Sequence, residues 1–283
     1  MNCDLHTHSI YSDGTWTPTQ IVEEAAKRAL AVALTDHNSI SGLPEFLDAA
    51  RKNGVTAVPG TEFTTEFQGT ELHIVALFIP EESYGAIQEY CAAGDRLKDE
   101  SNRALITRLR AAGYDISYEQ ILAQTPDGRV NRANIAAELV KQGFAATKDE
   151  AFDQLLSEKA GFYVPHKRPD ALETIAFIRS IGALPVWAHP FLSMKKCPEK
   201  VPLFLSLAKA RGLLAMETQY STYDEETTAR AKSLATRFGL LESGGSDFHG
   251  DNKPGILLGQ GRGNLRIPGS VYDTLQGAQR NQW

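Results

Sequence analysis

His6 and His8, one residue apart and followed by Asp13, are the first side chains here whose types and spacing suggest chemistry. Residues two apart on an extended strand share a face, so two imidazoles would stand side by side. Asp13 would bring a carboxylate from the loop beyond. Imidazole nitrogen and carboxylate oxygen together suit ions such as Zn, Mn or Fe. Two strand histidines can equally be hydrogen-bonded core residues, and Asp13-Gly14 alone is an ordinary turn. A metal site therefore needs more ligands from elsewhere in the chain.

Those groups recur at comparable places. Thr35-Asp36-His37-Asn38, Gly60-Thr61-Glu62, Ala188-His189-Pro190 and Ser246-Asp247-Phe248-His249 each follow an apolar run. Asp247 and His249, two apart, repeat the geometry of the opening pair. Asp36 and His37 are adjacent and would face opposite ways on a strand, so His37 is the expected ligand and Asp36 a hydrogen-bonding support behind one. His73, inside the apolar stretch Leu72 to Phe78, reads by itself as a buried, satisfied histidine.

The elements that must position these groups alternate. Ala31 to Thr35 is a continuous apolar run of the kind covered on both faces of a parallel sheet. Val55 to Pro59, Glu71 to Phe78, Leu184 to Ala188, Leu213 to Glu217 and Leu240 to Ser243 are further strands. Helices are expected between them, the first over Pro18 to Leu30 with Thr17 as its cap. This rhythm indicates an α/β barrel or sheet, in which the site lies at the C-terminal ends of the strands. From 83 to 161 no strand pattern appears and four helical segments follow one another. The expected organisation is a barrel from 1–82 and 162–283, with a helical insertion at 83–161 capping the substrate.

Composition narrows the partners. A net charge of −6 offers no basic face for long nucleic acid. Three widely spaced cysteines and the lack of a basic, then apolar, N-terminal segment point to a reduced, cytoplasmic protein, and no apolar run is long enough for a membrane span.

Taken together, His6-x-His8, Ser12-Asp13-Gly14, Thr35-Asp36-His37-Asn38, Gly60-Thr61-Glu62, Leu72-His73, Ala188-His189-Pro190 and Ser246-Asp247-x-His249 resemble the motif set of the PHP (polymerase and histidinol phosphatase) phosphoesterases. The resemblance implies a distorted seven-stranded β/α barrel with two or three divalent ions (Mn, Zn or Fe). It implies that His6, His8, Glu62 and Asp247 hold one ion, that Glu62 bridges to a second with His73 and His189, and that Asp13, His37 and His249 hold a third. His73 and Asp13 thereby become expected ligands. Asp247 and His249 are the expected catalytic residues, with a water activated between metals as the nucleophile.

The helical segment, through Arg132-x-Asn134-Ile135-Ala136, Gly143, Ala151-Phe152 and Tyr163-Val164-Pro165-His166, resembles the branch containing nucleoside 3′,5′-bisphosphate phosphatases and a 5′ to 3′ exoribonuclease. That implies a small phosphorylated partner, a nucleotide or short oligonucleotide, contacted by Arg132, Asn134, His166, Lys167 and Arg168. Two features depart from that branch: Asn134 stands where relatives often carry His, and Phe191-Leu192 follow the Ala-His-Pro where a small residue and Arg are usual. Histidinol-phosphate hydrolysis and a catalytically idle metal-binding module are the competing readings. The first lacks an acidic pocket for an amine, and the second tends to have lost ligands that this chain retains.

Overall fold

A computed structural model describes residues 1–125 and 130–281. They form two compact units, Met1–Glu89 with Pro169–Trp283, and Tyr90–Arg168.

The first unit is built on one sheet. Its strands are β1 (Asn2–Asp4), β2 (Leu30–Leu34), β3 (Ala57–Phe67), β4 (Thr70–Leu77), β5 (Leu184–Trp187), β6 (Ala215–Tyr220), β7 (Leu241–Gly245) and β8 (Ile267–Pro268), in the order β7-β6-β5-β4-β3-β2-β1-β8. β1, β2 and β3 are mutually parallel, as are β5, β6 and β7. β2 is buried along its whole length, as an apolar run covered on both faces must be. The helix Pro18–Lys27 packs Ile21, Val22 and Ala25 inward, and Thr17 caps it in a reciprocal capping box with Gln20.

The sheet closes where its first and last parallel strands continue beyond their ends. Leu5 N–H donates to Gly244 O at 3.1 Å, Asp247 N–H to His6 O at 2.9 Å and His8 N–H to Phe248 O at 2.8 Å. The two chains approach so closely that a Cβ on Gly245 would lie 2.2 Å from the Cβ of His6. Short side chains line the interior, among them Cys3, Ala31, Ala33, Val58, Val75, Val186, Ala188 and Ala215. β8 is a short antiparallel flank on β1.

One strand departs from the parallel rhythm. β3 does not stop at Pro59 but runs on to Phe67 and turns back through Gln68 and Gly69, both with positive φ, into β4. Such a two-residue turn matches the twist of a hairpin. β4 is consequently antiparallel to both β3 and β5. Its first residues, His73 included, lie on the side where the parallel strands end, with Thr64 opposite His73.

The second unit is helical. The helices Tyr118–Ala123, Arg132–Lys141 and Lys148–Ala151, with the later turns of Tyr84–Ala111, surround a separate core containing Leu105, Leu109, Ile135, Leu139, Leu155 and Leu156. Among the described residues no helix is long and apolar enough to cross a membrane.

Candidate metal centre

Nine side chains meet at one end of the barrel: His6, His8, Asp13, His37, Glu62, His73, His189, Asp247 and His249. They include six of the chain's seven histidines. The loop after β1 supplies His6, His8 and Asp13, and those after β2, β5 and β7 supply His37, His189, Asp247 and His249. Glu62 and His73 come from within the β3–β4 hairpin. His189 and Asp247 both adopt positive φ, 30° and 55°, a conformation that non-glycine residues adopt at a cost and that aims their side chains here.

Glu62 is fully buried at the centre. Its Oε2 lies 3.1 Å from His6 Nε2, 3.3 Å from His8 Nε2 and 3.1 Å from His37 Nδ1. Its Oε1 lies 2.9 Å from His73 Nδ1 and 3.0 Å from His189 Nε2. One carboxylate thus divides the histidines between its two oxygens. Asp247 Oδ1 lies 3.2 Å from His8 Nε2 and 3.7 Å from His6 Nε2. Further out, Asp13 Oδ1 meets His249 Nε2 at 3.1 Å, and Asp13 Oδ2 is 3.9 Å from His37 Nε2. His249 Nδ1 donates to the Asp247 carbonyl at 2.9 Å, which turns its Nε2 toward Asp13.

Four buried atoms at the centre, His6 Nε2, His8 Nε2, His37 Nδ1 and Glu62 Oε2, have no hydrogen-bond partner. A buried polar atom left unsatisfied costs about 1–3 kcal/mol, so four within one cluster need a common explanation. A cation among them satisfies all at once, and the donor set of imidazole nitrogen and carboxylate oxygen fits a divalent metal.

The electrostatics agree. Burial opposes ionisation of Glu62, but His6, His37, His73 and the hydrogen-bonded His189 hold its carboxyl well below the usual range. Asp247 is likewise held low against burial by His6, His8 and Lys253. Burial disfavours a charged His8, yet Asp247 and Glu62 overcome it and lift the imidazole to about 9. His37 goes the other way: burial and its imidazole neighbours push it down to about 3, leaving it neutral and able to donate lone pairs. The buried carboxylates stay ionised by drawing on the imidazoles and the ammonium around them, a role a divalent cation would share.

The PHP domain family model matches this chain over residues 4–164. The chain belongs to the PHP family. It is 31% identical to a 3′,5′-nucleoside bisphosphate phosphatase of Chromobacterium violaceum over 91% of this chain and 90% of that protein. It is 30% identical to a 5′-3′ exoribonuclease of Salmonella typhimurium over 96% and 92% respectively. Among solved structures, a candidate metal-dependent phosphoesterase from Bifidobacterium adolescentis superposes with a TM-score of 0.75 at 28% identity, over 97% of this chain and 95% of that one. This PHP protein is a metal-dependent phosphoric ester hydrolase that binds divalent metal.

Behind the cluster, a layer of hydrogen bonds fixes the side chains of this PHP protein's candidate metal centre. Asp36 accepts from Ser9 N–H and Ser9 Oγ at 2.7 Å and from Ser12 Oγ at 2.6 Å, and Ser12 Oγ lies 3.4 Å from His8 Nδ1. The Asp36 carboxylate thus reaches His8 through Ser12. Three supports were not singled out in the sequence. Glu217 Oε1 accepts from His6 Nδ1 at 2.7 Å while its Oε2 accepts from His189 N–H at 2.6 Å. Tyr220 Oη and Lys253 Nζ both donate to Asp247 Oδ2 at 2.6 Å. Glu217 is a charged residue directly after an apolar run that ends at Met216, but it matches no ligand motif.

A cavity of about 270 Å³ opens onto the cluster, lined by His37, Glu62, His73, His189, Tyr220 and Asp247 and walled by Glu71, Leu192, Ser193 and Lys253. The residues expected to contact substrate belong to the helical unit. The Arg132 guanidinium stacks on Tyr163 at 4.2 Å and donates to Leu156 O at 3.3 Å. Asn134 Oδ1 accepts from Asn131 N–H at 2.8 Å, closing a capping box at the start of helix Arg132–Lys141. Both therefore have local structural work. His166 and Arg168 are half-buried and Lys167 is exposed.

Proposed function

We propose that this PHP protein hydrolyses phosphate monoesters of small nucleotides, with a nucleoside 3′,5′-bisphosphate as the first candidate, or trims short 5′-phosphorylated oligonucleotides. Two or three divalent ions, Mn, Zn or Fe, would be held by His6, His8, Glu62 and Asp247, by Glu62, His73 and His189, and by Asp13, His37 and His249. The single observation carrying this reading is Glu62, whose two oxygens face two separate sets of imidazoles. That is the disposition of a carboxylate that bridges cations.

When bound, the ions supply Lewis-acid charge and an acidified water. The chain's own residues do the rest. Asp247, anchored by Tyr220 and Lys253, would orient the attacking water, and His249 would complete the rim beside it. Arg132, Asn134, His166, Lys167 and Arg168 would contact a second phosphate, guanidinium and imidazolium giving directed bonds to its oxygens. The small cavity, with Leu192 as an apolar wall, favours a monomeric substrate or a single strand end over a duplex.

Mn-loaded protein assayed for phosphate release from adenosine 3′,5′-bisphosphate, a 5′-phosphorylated oligonucleotide and histidinol phosphate tests the reading. Turnover of either nucleotide substrate is expected; exclusive turnover of histidinol phosphate, or none at all, overturns it. His37→Ala and Asp247→Ala should each abolish turnover in folded protein.

A further inference from the structure

Lys253 is the one lysine or arginine that lines the cavity among the described residues. Three carboxylates, Glu62, Glu71 and Asp247, share that lining, so an incoming phosphate meets a negative wall on the protein side. Lys253 Nζ is 2.6 Å from Asp247 Oδ2, and its side chain is 41% exposed, which gives the ammonium access to the cavity. An ammonium carries three donors and this contact uses one. The same Asp247 oxygen also receives Tyr220 Oη at 2.6 Å, so it keeps a donor if the lysine turns toward a ligand.

The loop that carries Lys253 is fixed. Gly250, with φ of 62°, fits so tightly that a Cβ there would lie 2.1 Å from Thr15 Oγ1. Asp251 N–H donates to Thr15 Oγ1 at 2.9 Å and Asn252 Nδ2 to Asp13 O at 2.7 Å. These contacts tie the loop to the turn that also supplies Asp13. A cation delivered by a fixed loop stabilises developing charge without reorganising.

We propose that Lys253 is a substrate-contacting residue, whose ammonium binds a non-bridging oxygen of the phosphoryl group and meets the charge that grows there in the transition state. This rests on the phosphomonoester reading above.

The test uses the full Mn-loaded chain as wild type, Lys253→Met and Lys253→Arg. Inorganic phosphate is titrated by calorimetry, metal content is measured by plasma mass spectrometry, and kcat/KM is measured with adenosine 3′,5′-bisphosphate. Lys253→Met should bind phosphate about 10- to 100-fold more weakly and lose kcat/KM to a similar extent with unchanged Mn content. Lys253→Arg should stay within about tenfold of wild type, since it keeps the charge and loses only the geometry of a compact ammonium. Wild-type phosphate affinity in Lys253→Met overturns the inference, as does Mn content falling in step with phosphate affinity, which would make Lys253 only a support for Asp247. Wild type that binds phosphate but turns over no phosphomonoester defeats the functional reading alone, and phosphate binding then still decides the role of Lys253.

Discussion

Glu217→Gln changes one oxygen to an amide nitrogen in a side chain that is 2% exposed and accepts from two donors. Glutamine has one acceptor oxygen, so it can serve only one donor well. If that oxygen takes His189 N–H, the amide N–H faces His6 Nδ1 and draws the imidazole into the tautomer protonated at Nε2, the atom 3.1 Å from Glu62 Oε2. The lone pair needed by a metal is then blocked. If instead the oxygen takes His6 Nδ1–H, the amide N–H opposes His189 N–H and strains a residue already at positive φ. The first arrangement removes a lone pair that a metal would use, and the second leaves a buried donor unpaired, a cost of about 1–3 kcal/mol. At 1.4 kcal/mol per decade that weakens metal binding roughly 5- to 150-fold, in line with the 10- to 100-fold effects typical of partners behind metal ligands. The assay is Mn activation of the metal-stripped protein, with circular dichroism to establish folding. The Mn concentration for half-activation should rise about 10- to 100-fold; a folded Glu217→Gln protein with wild-type Mn dependence would refute the reasoning.

Other expectations follow from the same geometry. Chelator treatment should remove activity and lower the melting temperature, with Mn restoring both, because a ligand that binds only the native state stabilises it; a melting curve indifferent to chelator would contradict the four orphaned atoms. Gly245→Ala should destabilise the barrel by about 2 kcal/mol or more, since its methyl would collide with His6 at the seam, and urea denaturation would read the loss. Cys3 is fully buried and its thiol is pushed up to about 12, mainly by burial. Above about pH 9 the unfolded thiol ionises while the folded one keeps its proton, so the unfolded state binds fewer protons and stability falls as pH rises toward 12. The slope is about 1.4 kcal/mol per pH unit, and Cys3→Ala should remove that component when urea stability is measured between pH 9 and 11.

Much of this architecture could be read from residue order because strand ends and ligand motifs coincide. A two-residue spacing is short enough that local extended geometry decides where His6 and His8 point, and the same holds for Asp247 and His249. His73 was harder to read. Its apolar neighbours indicated a buried residue, and only the reversal of β4, produced by the Gln68-Gly69 turn, brings the start of that strand to the mouth. Glu217, Tyr220 and Lys253 were not legible, because their partners lie at least 6 positions away in the chain, and as many as 211 for Glu217 and His6. Polar residues of that kind declare a role only when tertiary contacts exist. Asn134 shows the converse, since its capping contact with Asn131, three positions away, is as local as any helix signal.

The seam between β1 and β7 ties the site to the completion of folding. The clustered side chains run from position 6 to position 249, and His6 meets Asp247 only after the intervening chain has folded back on itself. Contacts so remote in sequence form late, because the entropy of closing a long loop must be overcome before any reward is collected. A half-made barrel would hold isolated imidazoles with modest affinity, whereas the finished ring presents them as a set. Acquisition of metal would thus be a late, cooperative event that distinguishes a closed barrel from an open one.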